Sequence, residues 1–504
     1  MAITKTGAQN IKICVASDLH FFDKSLLVKD GKAFRDYLNA DRKMLLESEP
    51  ILKALIDTIL FENPDIFIVS GDLTKDGEKQ SHIKVAGYLR KLKDAGIKVF
   101  VVPGNHDINN PHALKYNGDL TTSVPSVTPL EFDSIYSEFG YGNESEKDKN
   151  SLSYATNPIE DIEILAIDAC KYDSNYVKKT NVTGGRLRSS TLDWLVNKSE
   201  EASRENKLLI GIMHHGMLEH FGGQKNLFKD YVIDDYANVS DKLAMAGLKI
   251  VFTGHFHAQD IVGRVTKNGY HLYDIETGSA VTFPCQYRVI NLTKDKKFEV
   301  ASKSIDRIEY NTGGKSLTEY SLDFTKTVMP GIILNTLTAE PNNMPWFLAT
   351  YVEPALTETM IAHYAGDEKN PSENVISKMN YLKNISSTAV LGIAMDSIWH
   401  DPLPSDLNTN IDLSNMNNGI LSKEEFEKIK IFPNPVKNGL TIVNSDAHLN
   451  GLLISLKDVE GKELINKICN DKLSNLDMSR YGNGMYILSI KGKNLDFRKK
   501  IVKN

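Results

Sequence analysis

Residues 99–109 read V-F-V-V-P-G-N-H-D-I-N. An apolar run stops at Pro103 and Gly104, and Asn105, His106 and Asp107, three side chains able to bind metal, follow at once. The arrangement recurs four times. I-K-I-C-V-A leads into Ser17-Asp18-Leu19-His20, D-I-F-I-V-S into Gly71-Asp72, L-L-I-G-I-M into His214-His215-Gly216, and K-I-V-F-T into Gly254-His255-Phe256-His257. Short unbroken apolar stretches are expected of strands buried on both faces. In an open α/β sheet the carboxyl ends of such strands share one edge, where ligands bind. Residues scattered from 18 to 257 are therefore expected to converge.

Outward from these runs, the alternation of strands and amphipathic helices predicts βαβ units. Strands are expected at 11–16, 66–69, 98–102, 162–167, 208–213 and 249–252. Helices are expected at 51–61, 81–95, 191–202 and 241–246. The stretches 260–265, 271–275, 287–291 and 298–303 alternate without helices between them and are expected as antiparallel strands completing a domain. The domain reading is 1–305 for this α/β part, 306–425 for a helical insert with a linker, and 426–504 for a small β-sandwich. Within the insert, 345–364 and 373–395 read as helices, and 400–418, rich in Pro, Asn, Asp and Ser, reads as the linker. Asp406, Asn408 and Asn410 begin like a calcium loop, but Ile411 stands where glycine is required and Asn417 where glutamate is, which excludes an EF-hand. Past residue 426, short alternating runs separated by turn residues predict the sandwich.

The composition bounds the function. The 504 residues carry a net charge of −6, but from residue 431 onward there are 12 Lys and Arg against 7 Asp and Glu, so a basic tail follows an acidic body. An acidic body gives no support to nucleic-acid binding. No apolar run approaches the roughly 20 residues of a transmembrane helix. Cys14, Cys170, Cys285 and Cys469 are far apart and form no CxxC pair, so a disulfide framework is not expected. No signal peptide is visible, the first ten residues being polar.

Asp, His and Asn offer oxygen and nitrogen donors suited to Zn, Fe or Mn. In Asp18-x-His20 and His255-x-His257 the spacing lets both side chains enter one cavity where the strand turns. With five clusters in the order D-x-H, G-D, G-N-H-D, H and G-H-x-H, residues 10–300 resemble the calcineurin-like metallophosphoesterases. The resemblance implies a four-layer αββα sandwich around a dinuclear metal centre. It assigns Asp18, His20, Asp72 and His257 to one metal, and Asp72, Asn105, His214 and His255 to the other, with Asp72 bridging. It favours His214 over His215, which is expected to line the pocket as a substrate contact or to pack locally; Asn105 is also an expected substrate contact. The implied activity is hydrolysis of phosphomonoesters or phosphodiesters by a hydroxide bridging the two metals. With the donors so assigned, His106 is left over. It is expected to face the substrate and to stabilise the transition state or protonate the leaving oxygen, oriented by Asp107 or another carboxylate. Arg35, Lys115, Tyr116, Arg186 and Arg188 are candidate phosphate contacts or solvated surface groups, and the loop 109–128 is expected to form a pocket wall. The alternatives are a non-catalytic interaction module on the same fold, or a metal-dependent nuclease.

The C-terminal part, through Phe432-Pro433-Asn434-Pro435, Lys457-Asp458-x-x-Gly461, Leu476-Asp477-Met478-Ser479, Gly484-Met485-Tyr486 and a Lys-rich end, resembles a type IX secretion sorting domain. The resemblance implies recognition by an outer-membrane export machinery and a secreted or cell-surface protein, whose signal peptide is expected to have been removed.

Overall fold

The computed structural model describes residues 10–266, 269–366, 368–400, 404–414, 429–444, 452–458, 462–469, 473–492 and 495–504. Each apolar run that precedes a polar cluster is a strand: Ile11–Ala16, Ile66–Val69, Lys98–Val101, Leu208–Met213 and Ile250–Thr253. Beyond their first one or two residues these strands are buried along their whole length, as layers on both faces require.

Two mixed sheets result. The six-stranded one runs Asn408–Asp412, Lys297–Ser304, Gln286–Leu292, Ile11–Ala16, Ile66–Val69, Lys98–Val101, and its last three strands are parallel. The seven-stranded one runs Asp260–Val265, His271–Glu276, Ile250–Thr253, Leu208–Met213, Ile162–Ile167, Tyr154–Ile159, Glu146–Lys147, with four parallel strands at its centre. Helix Lys79–Asp94 packs on strand Lys98–Val101 of the first sheet, and helix Ser189–Arg204 on two strands of the second. This is the αββα sandwich that the resemblance implies.

Three expectations need correction. Strand His271–Glu276, read as antiparallel, runs parallel to Ile250–Thr253. The chain overshoots the sheet edge through Asp260–Val265 and returns into the gap. The stretch read as linker contains strand Asn408–Asp412, an edge strand on Lys297–Ser304. Only its Ile411 is buried, and such polar edges carry little strand signal. Residues 401–403 and 415–418 of that linker lie outside the described residues, as does Asn417. The helix read over 373–395 is two, Glu373–Lys383 and Ala389–Trp399. Between them Asn384 and Thr388 bond to backbone carbonyls of the preceding turn, a competition that ends helices.

Helix Leu317–Thr338 was not anticipated. Its buried face reads Leu317, Ser321, Thr325, Met329, Ile333 and Leu337, so two polar residues blunt the apolar period. It starts on a capping box in which Ser316 accepts from the Glu319 amide and the Glu319 carboxylate accepts from the Ser316 amide. The helices share one core with Phe221, Phe256, Ala258 and Phe283 of the α/β part.

Residues up to 415 make up most of one compact unit, and residues 416–504 most of a second. The second carries a three-stranded sheet (Ile429–Phe432, Gly439–Asn444, Leu473–Asp477) and a four-stranded sheet (Glu463–Cys469, Leu452–Asp458, Gly484–Gly492, Leu495–Lys503). Its core includes Leu440, Ile442, Leu456, Leu476, Leu488 and Ile501.

Candidate metal centre

The five clusters meet where the two sheets' carboxyl ends adjoin. Strand ends alone do not bring the side chains together; the backbone must turn sharply. Asp18 (φ 50°), His20 (φ 37°), Asp72 (φ 47°), His255 (φ 81°) and His257 (φ 71°) all adopt left-handed conformations. Non-glycine residues there cost about 1–3 kcal/mol each when held in sparsely populated regions, and such strain clusters at functional sites. Five of the seven expected ligands carry it. Close approach explains two glycines: a Cβ on Gly104 would lie 2.1 Å from Asp72 Oδ1, and one on Gly254 1.8 Å from Ser17 Oγ.

The side chains fall into three groups whose donor atoms lie within 4.8 Å of one another: Asp18, His20 and His257; Asp72, His214 and His255; and His20, Asp72 and His106. Asp72 joins the first two. Its Oδ1 accepts from the His106 amide at 2.9 Å, while Oδ2 faces His20 Nε2 at 3.6 Å and His214 Nε2 at 3.3 Å. Asn105 Oδ1 lies 3.1 Å from the same His214 nitrogen. The seven expected ligands are thus brought together, all buried.

These residues fit a pair of cations. Asp18 Oδ1 is buried without a hydrogen-bond partner yet lies 3.3 Å from His257 Nε2. His20 Nε2 and His257 Nε2 face each other at 3.3 Å. Burial, aided by Lys43, lowers the His20 pKa to about 4, and burial, aided by Arg42, lowers that of His257 to about 3. Two neutral imidazoles with their Nε2 atoms in contact, and a carboxylate oxygen beside them, offer a cation three donors. Burial opposes ionisation of Asp18, but His257 and His20 outweigh it and hold the carboxyl well below the usual range. Burial likewise lowers and Asp72 more than restores the His214 pKa, to about 9; a cation between the two displaces that proton.

Outer contacts fix the rings. His214 Nδ1 donates to the Ser70 carbonyl at 2.9 Å and His255 Nε2 to the Asp230 carbonyl at 3.2 Å, while His257 Nδ1 and Thr282 Oγ1 are hydrogen-bonded at 3.1 Å. Loss of such a contact typically weakens metal binding 10–100-fold. Thr282→Val is therefore expected to raise the metal dissociation constant by about that factor while leaving the melting temperature of the metal-free protein within a few degrees, as chelator competition and thermal melting will read.

His106 adjoins His20 and Asp72 but differs from the expected ligands in exposure. Its side chain is 20% exposed, against 0–3% for Asp18, His20, Asp72, His214 and His257, and its ring meets His20 edge-on at 5.0 Å. Its Nδ1 donates to Asp76 Oδ1 at 2.9 Å, so Nε2 is the nitrogen free for chemistry. The orienting carboxylate is Asp76, not Asp107. Asp107 is fully buried, and its two oxygens accept from the amides of Leu73, Thr74 and Gly104 and from Thr74 Oγ1, at 2.8–3.1 Å. It ties the Gly71-Asp72 loop to the Gly104-Asn105 loop. Asp76 in turn receives Asn110 Nδ2, Tyr37 OH and the buried Lys75 ammonium. Sequence reasoning passed over Asp76, although it sits four residues after Asp72 in the same loop.

Other expected contacts sit elsewhere. His215 is wholly buried, donates to the Thr183 carbonyl at 2.8 Å and packs behind His255 at 4.5 Å between ring centres, so substrate contact is not its position. Arg35 is exposed and paired with Asp30; Arg188 is exposed and paired with Asp173. Lys115 and Arg186 are exposed, and Tyr116 is buried against Phe34. The loop 109–128 holds a hairpin, Leu114–Asn117 with Leu120–Ser123, and its Asn110 braces both Asp76 and the His106 carbonyl.

With this geometry in view, residues 11–259 match the model of a family described as calcineurin-like phosphoesterase. Residues 11–259 are a calcineurin-like phosphoesterase domain. Residues 430–504 match a secretion system C-terminal sorting domain. Two relatives resemble the phosphoesterase part. A "Probable cyclic nucleotide phosphodiesterase" of Fibrobacter succinogenes is 23% identical over 261 residues, 52% of this chain and 78% of the relative. One so named from Synechococcus is 24% identical over 208 residues, 41% of this chain and 59% of the relative. Among solved structures, a dimetal phosphatase from Danio rerio aligns with 58% of this chain and 96% of its own at 12% identity and a TM-score of 0.40. Among the described residues no helix is long and apolar enough to cross a membrane.

Proposed function

We propose that the protein is an exported, dinuclear-metal phosphoesterase that hydrolyses phosphodiesters, cyclic nucleotides foremost, through Asp18, His20, Asp72, Asn105, His214, His255 and His257 as ligands and His106 as general acid. The observation that carries the reading is the shared Asp72 Oδ2, facing a donor of each ligand group at 3.3–3.6 Å. When bound, two cations supply Lewis acidity and lower the pKa of a water between them toward neutrality. The chain's own contribution is positional. Asp72, anchored by the His106 amide, holds the two ligand groups at a fixed separation. His106, with its proton on Nδ1 directed at Asp76, presents Nε2 to the reacting face and hands a proton to the leaving oxygen when that nitrogen is protonated. The preference for cyclic nucleotides rests on the names of the two relatives, and export on the sorting domain, read by secretion machinery.

A panel of cyclic nucleotides, linear diesters and monoesters, assayed on protein supplied with Mn, Zn or Fe, tests this. Turnover of cyclic nucleotides ahead of monoesters is expected. Absence of turnover on every ester would move the protein to the non-catalytic alternative.

Asp76→Asn separates the orienting carboxylate from the ligands. It is expected to reduce kcat about 10–100-fold on esters with poor leaving groups, as loss of a supporting contact does, with both metals retained. Asp107→Ala leaves three buried amides without an acceptor and is expected to show as lost stability in a thermal melt instead.

A further inference from the structure

One half-buried cation beside the ligands, Arg42, neither holds a metal nor supports a ligand ring by a hydrogen bond. Arg42 belongs to Asp41-Arg42-Lys43, the stretch just ahead of helix Ser48–Glu62. Its Nη2 makes a long bond, 3.5 Å, to the carbonyl of Phe256, the residue between His255 and His257, and the Tyr231 phenol is a second hydrogen-bond partner of the guanidinium. Its Nε is buried without a hydrogen-bond partner. A guanidinium carries five donors in a rigid fork, and leaving them unmatched inside a protein is costly.

The fork is nonetheless held in place. Its plane lies over Tyr364 with the guanidinium carbon 5.7 Å from the ring centre. Tyr364, near the end of helix Trp346–Ala365, is buried. Tyr231 packs on both His255, at 4.6 Å, and Phe256, at 4.9 Å, and adds a phenol on the same side. Asp41, the adjacent carboxylate, is engaged by Lys43 at 3.1 Å. Arg42 is thus a pre-positioned cation with an open Nε, placed by Phe256 beside the ligand loop, and its neighbouring carboxylate, Asp41, is shared with Lys43. The anion that arrives there in a phosphoesterase is the substrate's phosphoryl group, and bidentate Arg–phosphate pairing is among the strong charge-assisted contacts.

We propose that Arg42 is a substrate-binding residue that grips a non-bridging oxygen of the phosphate ester, and that Tyr364 makes the helical segment a positioning part of that site. The proposal rests on the phosphoesterase reading, so its test avoids turnover. Inorganic phosphate is titrated by calorimetry into the full-length, metal-loaded protein and its variants, with metal content and melting temperature recorded for each.

Arg42→Met is expected to weaken phosphate binding at least about tenfold, the size of one lost charge-assisted contact, at unchanged metal content. Arg42→Lys, which keeps the charge and loses the fork, is expected to fall between the two. Should Arg42→Met fail to fold, Arg42→Lys decides, and affinity equal to wild type overturns the assignment. Equal affinity of Arg42→Met and wild type overturns it as well, as does a metal-loaded wild type that binds no phosphate. If the wild type binds phosphate but hydrolyses no ester, the proposed activity fails while the Arg42 assignment is still judged by the variants.

Discussion

His106→Ala is expected to keep both metals and to lower kcat by about 10²–10⁴-fold on alkyl and ribosyl phosphate esters. On p-nitrophenyl esters the loss is expected to be about tenfold or less, because a good leaving group needs no proton. The split follows from geometry. His106 contributes only its backbone amide to Asp72, at 2.9 Å, and the alanine variant retains that amide. Its ring is held by Asp76 with Nε2 unengaged. Equal losses on the two ester classes would reject the acid role, and loss of metal would return His106 to the ligand set.

Asp72→Ala is the other large effect. Asp72 is the carboxylate whose Oδ2 faces a donor of each expected set, His20 at 3.6 Å and His214 at 3.3 Å. Without it the second group has only neutral donors, His214, His255 and Asn105, and the first keeps Asp18 alone as its charge. Both metals are expected to be lost on dialysis, and with them several kcal/mol of transition-state stabilisation, or at least about 10³-fold in kcat/KM. Metal analysis of the dialysed variant reads the first and steady-state kinetics the second. Retention of two metals would show that the bridge is not Asp72.

Much of this site is legible in the sequence because its ligands sit at strand ends, and strand ends are marked by the close of an apolar run. Ile11–Ala16, Ile66–Val69 and Leu208–Met213 have the bounds their apolar runs predict. Choosing His214 over His215 needed the family pattern; the structure places His214 beside Asp72 and Asn105. Adjacency in sequence misled at Asp107. A residue next to His106 points elsewhere when the backbone turns between them, whereas Asp76, thirty positions away, faces the ring. Arg42 was also hidden, since it lies in a polar stretch tied to no strand end. The helical segment's part through Tyr364 depends on tertiary packing, which periodicity does not encode.

The central claim is that two cations held by one shared carboxylate make this chain a phosphoesterase. The direct measurement is hydrolysis of a cyclic nucleotide by chelator-stripped protein as Mn is restored, with bound metal counted at each point. The account predicts that turnover rises with occupancy and reaches its plateau at two equivalents per chain. Two bound equivalents without turnover, or full turnover in their absence, would contradict it.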